Sequence, residues 1–149
     1  MNRPAWLLVP CVVTALFLSA CGPGPLVGRW TRTTSTGGAE LTAVEALNAD
    51  GTAAITLSGT GGCTGMIAYT GLTWSSDATS IIFMGRGTCS GAVNCTISGT
   101  NVTIDCAHSP NGPQEGACDY TLSSDANSLT ISNCSGSFGG STTYARESR

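Results

Sequence analysis

Six cysteines, Cys63, Cys89, Cys95, Cys106, Cys118 and Cys134, sit in a chain that alternates apolar and polar residues between glycine-rich turns. Cross-links between such segments restrict the fold strongly, because a disulfide requires its two Cα atoms within about 7 Å. Whether the thiols oxidise depends on the compartment. The amino terminus speaks to that: Arg3, an apolar run from Trp6 to Leu18, then small residues, which is the layout of an export signal. Export implies an oxidising compartment, so three disulfides are expected.

Spacing and side-chain parity order the pairings. Cys95 and Cys106 bracket two alternating runs around Gly99. Cys95 shares parity with Ile97, and Cys106 with Val102 and Ile104, so both face one core. Cys63 goes with Ile67 and Tyr69, and Cys89 with Ile81 and Phe83. Cys118 matches Tyr120 and Leu122, whereas Cys134 falls one residue out of step with Leu129 and Ile131, which demands a bulge near Asn133. The expected order is Cys95–Cys106, then Cys63–Cys89, then Cys118–Cys134. A Cys63–Cys95 link would exclude this hairpin arrangement. With no Cys-x-x-Cys and one histidine, His108, neither a zinc site nor a redox thiol pair is expected.

Strand signals dominate from Gly28 onward. Gly28 to Thr34 is rich in β-formers, and Asp50-Gly51 is a tight-turn dipeptide leading into Thr52 to Leu57. Met66 to Trp74 and Thr79 to Met84 read as a hairpin, and Ser141 to Arg146 closes the chain. Ala39 to Asn48 is ambiguous: Leu41, Val44 and Leu47 have near-helical spacing, yet the segment feeds a turn and is read as a strand. Ser75-Ser76-Asp77-Ala78 recurs as Ser123-Ser124-Asp125-Ala126, one hairpin solution used twice. The fold class is all-β: a small antiparallel up-and-down barrel or sandwich of eight to ten short, disulfide-stapled strands.

Leu18-Ser19-Ala20-Cys21 resembles the lipobox of bacterial lipoproteins. The resemblance implies cleavage before Cys21 and lipidation of its thiol and amine, giving residues 1–20 as signal peptide, 21–27 as a lipidated Gly/Pro spacer and 28–149 as the domain. A spanning helix is disfavoured, because Pro10 and Gly22-Pro23-Gly24-Pro25 leave fewer apolar residues than the roughly 20 required. Several acyl chains on Cys21 anchor stably where one would not. Gly22 stands where aspartate marks inner-membrane retention in that family, so the resemblance implies the outer membrane.

Leu26-Val27-Gly28-Arg29-Trp30, Asp50-Gly51-Thr52, Gly71-Leu72-Thr73-Trp74, Tyr120-Thr121-Leu122-Ser123, Leu129-Thr130-Ile131 and Tyr144-Ala145-Arg146 resemble bacterial lipocalin-like domains. That likeness implies that Trp30 packs in a barrel floor with Arg146 across it, a cation–π contact closing first strand to last. Tyr69, Trp74, Phe83 and Tyr120 are the candidates to line a ligand cavity, and in so small a barrel they also suit a filled core. The chain departs from the family in its six cysteines and in lacking a C-terminal helical segment.

Chemistry is sparse. The formal charge of −3 and the absence of lysine exclude the basic face that nucleic acid requires. His108 beside Asp105 and Ser109 reads as a loop histidine, since triad groups converge from separate elements. Asn48-Ala49-Asp50-Gly51 lacks the downstream glutamate of a calcium loop. Asp119 and Glu115 show no shared cleft. No cofactor is expected and no enzyme. The expected function is that of a non-catalytic envelope lipoprotein, anchored through Cys21. It would bind a small apolar ligand, or else act as a structural or inhibitory protein on an envelope partner through its loops.

Overall fold

The computed structural model describes residues 24–85, 87–107, 116–135 and 141–148. Residues 1–23 with Cys21, and also His108 and Glu115, lie outside them. Ten strands follow in order: β1 (Gly28–Thr36), β2 (Ala39–Leu47), β3 (Thr52–Gly61), β4 (Cys63–Ser76), β5 (Ser80–Met84), β6 (Thr88–Ile97), β7 (Thr100–Asp105), β8 (Gly116–Leu122), β9 (Ser128–Ser132) and β10 (Thr142–Arg146). Every strand pairing is antiparallel. The order β3-β2-β1-β10-β9-β8-β5-β4 closes through β3–β4 into an eight-stranded barrel, with β6 and β7 added beside β4.

The addition is less irregular than it looks. β5 and β6 lie end to end on one edge of β4, pairing with Thr73–Ser76 and with Cys63–Thr70 respectively. β8 pairs with β5 and β7 with β6, so these two also follow one another. The described strands therefore form an up-and-down meander in which two strand passes, β5 with β6 and β7 with β8, are each broken into two pieces.

Residues 39–47 form a strand despite their helical composition. Nine register pairs to β1 and nine to β3 override a propensity worth only tenths of a kcal/mol per residue. The core holds Leu26, Trp30, Leu47, Ile67, Leu72, Ile81, Phe83, Val93 and Leu129, all at most 1% exposed. The recurrent Ser-Ser-Asp-Ala segments occupy equivalent turns, β4–β5 and β8–β9. Asp77 accepts from the Thr79 and Ser80 amides, and Asp125 from the Asn127 amide. With Asp50 accepting from Thr52 in the β2–β3 turn, three aspartates cap three turns of one barrel end.

Two of the expected disulfides are corrected. The bonds are Cys63–Cys95, Cys89–Cys106 and Cys118–Cys134. Parity put every cysteine except Cys134 on the right face but could not fix register, which turn length sets. The two-residue Ser98-Gly99 turn places Cys95 opposite Val102 and carries Cys106 past Asp105, level with Gly91 and near Cys89. Cys95 instead faces Cys63 across β4–β6, with Cα atoms 3.9 Å apart. Gly59 makes room for that bond, since a Cβ there would lie 2.5 Å from the Cys63 Cβ. Asn133 has a φ of 50°, the irregularity that brings Cys134 into step with Cys118.

Candidate functional site at the barrel seam

The barrel is joined where β1 meets β10, and the joint has two storeys. The lower one is built around Trp30, fully buried on β1, whose indole N–H donates to the Leu26 carbonyl at 2.8 Å. Register sets Arg146 opposite Trp30, and its guanidinium lies 4.2 Å from the ring centroid. Arg146 then spends its donors on backbone: Nε on Ala126 O at 2.7 Å, Nη1 on Val27 O at 3.0 Å and Nη2 on Pro25 O. One side chain thus fastens the incoming chain, the β8–β9 turn and β1. Gly28 permits it, because a Cβ there would meet Nη1 at 2.8 Å. Outside, Glu147 pairs with Arg29.

The upper storey is polar. Glu45 on β2 lies across the ladder from Trp30 and Ile55, at 3% exposure, and is the one charged side chain buried among the described residues. Burial pushes its carboxyl above the ordinary 4.5, against the opposing pull of a hydrogen bond with the Tyr144 hydroxyl. Its Oε2 is buried without a partner. Tyr144 is mostly buried too, and burial, reinforced by the neighbouring Glu45 charge, drives its phenol well above the ordinary 10.0. Arg32 follows Trp30 by two on β1 and so shares its face. It is exposed, donates to Thr142 Oγ1 at 3.1 Å and pulls Tyr144 in the opposite direction. Glu45, Tyr144, Arg32 and Thr142 make a polar lane from the interior to solvent.

The four aromatics singled out from the sequence lie elsewhere. Tyr69 and Phe83 are core residues. Trp74 and Tyr120 are partly buried, and turn their polar ends to turn carbonyls, Trp74 Nε1 to Asn48 O at 3.0 Å and Tyr120 Oη to Asp77 O at 2.8 Å. A cleft of about 570 Å³ lies at the Arg146 end, bordered by Val27, Leu47, Asn48, Asn127 and Arg146. A second, of about 440 Å³, lies beside β6 and β7, between Gly62, Asn94 and Asn101. None of the four aromatics borders either. Among the described residues no group of three or more His, Cys, Asp or Glu is placed to hold a metal ion.

Glu45 has no role in the sequence reading, although the signal existed. Leu41, Ala43, Glu45 and Leu47 share strand parity, so an inward Leu41 and Leu47 put a carboxylate in the core. Comparison with family models, with curated proteins and with solved structures gives no match.

Proposed function

We propose that the chain is a non-catalytic lipoprotein of the bacterial envelope, anchored through Cys21, whose lipocalin-like barrel serves as a rigid body for contact with an envelope partner. The observation that carries the contact reading is the use made of the aromatics: Tyr69 and Phe83 fill the core, and Trp74 and Tyr120 brace turns, where an open ligand chamber would need them free. The lipobox resemblance supports the anchor, and three disulfides accord with an exported chain. The chain reaches the barrel at the Arg146 end, so a tether at Cys21 leaves the β1–β2 and β6–β7 turns pointing away from lipid.

Metabolic labelling with a fatty acid tests the anchor: wild type takes up label and Cys21→Ala takes up none. Label retained in Cys21→Ala would overturn it. The cleft at the Arg146 end supports a second reading, a small apolar ligand, because Leu47 and Val27 border it. Displacement of a fluorescent fatty acid from the purified domain would favour this second reading over the first.

A further inference from the structure

The ladder between β1 and β10 consists of two register pairs, Trp30–Arg146 and Thr31–Ala145, where β1 and β2 share nine. From Arg32 to Thr36 the outer edge of β1 has no strand partner among the described residues, and these residues are exposed. Immediately inside this short ladder sits Glu45, with one carboxylate oxygen buried and unsatisfied. A buried polar atom without a partner calls for an explanation in function or in an alternative state. Here the closed barrel suits a protonated carboxyl, which can take the Tyr144 hydrogen bond without carrying a buried charge.

We propose that the β1–β10 seam is a pH-sensitive joint, closed while Glu45 holds its proton and parted when Glu45 releases that proton to solvent. The groups around it decide the route. Arg32 on β1 and Tyr144 and Arg146 on β10 share the inward face with it; β3 contributes no titratable side chain, β4 contributes Tyr69, and the β6 cysteines are disulfide-bonded. Arg146 is committed to three carbonyls and Trp30, so it is not the counter-ion. Arg32 is exposed and held by a single threonine hydroxyl. An ionised Glu45 gains water and Arg32 by separating two register pairs, the Glu147 amide bond to Arg29 and the Arg146 bonds to Val27 and Pro25, whereas leaving on the β3 side would break nine register pairs.

Hydrogen exchange on the full chain, corrected for intrinsic rates, tests the joint. Protection at Thr31, Ala145 and Glu147, whose amides bond across the seam, is expected to fall by up to tenfold per pH unit above the ordinary carboxylate range, with β2–β3 amides unchanged. Glu45→Gln, which holds the neutral form, is expected to flatten that slope. The same slope in Glu45→Gln, or β2–β3 amides opening together with the seam, would overturn the joint. Should Glu45→Gln not fold, the Glu45 side-chain carboxyl carbon is followed by NMR in wild type. Its titration must then coincide with seam opening, and a titration displaced from it refutes the proposal.

Discussion

The sheet around β4, β6 and β7 and the seam between β1 and β10 solve the same problem, holding neighbouring strands together, by opposite means. β4 and β6 share eight register pairs and a disulfide, and Cys89–Cys106 fastens the end of β7 to the start of β6. The seam has two register pairs, and its strength comes from side chains: a buried indole, a guanidinium on its face and three carbonyls around that guanidinium. Covalent staples act largely by restricting the unfolded chain and leave the native joint little freedom. Side-chain closure acts in the native state alone, so it can respond to protonation. The covalent region is rigid by connectivity and the seam by chemistry.

The largest effects are expected where the seam has its one apolar anchor. Trp30→Ala removes a fully buried indole and the face on which Arg146 rests, and should cost about 3–5 kcal/mol in urea unfolding. Loss of the Cys63–Cys95 bond, as Cys63→Ala with Cys95→Ala, should cost about 3–4 kcal/mol for its 32-residue separation. The two variants separate the regions. Exchange protection should drop first at β1 and β10 in the former and at β6 and β7 in the latter. If both lost protection everywhere in step, the distinction between the regions would fail.

Arg146→Met probes the seam more gently. Methionine can still lie over Trp30, but the carbonyls of Ala126, Val27 and Pro25 lose their donors. About 1–3 kcal/mol is expected, since unsatisfied acceptors near the surface recover part of their hydration. A change below a few tenths of a kcal/mol would show that the indole alone closes the barrel.

The same contrast explains what could be read from the residues. Alternation placed the strands and the inward faces, including every cysteine except Cys134, because it is a local property of two successive residues. Turn chemistry at Asp50-Gly51 and in the two Ser-Ser-Asp-Ala segments marked three turns that the structure contains, each by a side chain bonding backbone two or three residues on. Register was not legible across the broken β5–β6 strand, since nothing in the chain announces that Thr88 to Cys95 returns to pair with β4 rather than with its sequence neighbours alone. That step decides Cys63–Cys95. The Trp30–Arg146 contact was reachable through motif likeness, whereas Glu45 was hidden by its neighbours: Ala, Glu and Leu at helical spacing drew attention away from the parity that buries it.

The smallest expected effect concerns the shape of stability against pH. Glu45 has a folded pKa above its ordinary value, so its contribution is complete below about pH 4.5 and is lost as pH rises through the folded value. Asp50, Asp77 and Asp125 behave oppositely. Hydrogen bonds from Thr52, from Thr79 and Ser80, and from Ser123 and Asn127 hold each below the ordinary 3.8, so their contribution is present above it and lost as pH falls. Stability measured by urea unfolding should therefore be greatest close to the interval between 3.8 and 4.5 and decline on both sides. Glu45→Gln should level the neutral limb and leave the acid limb, whereas Asp77→Asn with Asp125→Asn should soften the acid limb and leave the neutral one. The aspartates are fully exposed, so their share is the slighter and weakens further with added salt. A neutral limb unaffected by Glu45→Gln would place the pH response outside the seam and remove the main distinction between the two regions.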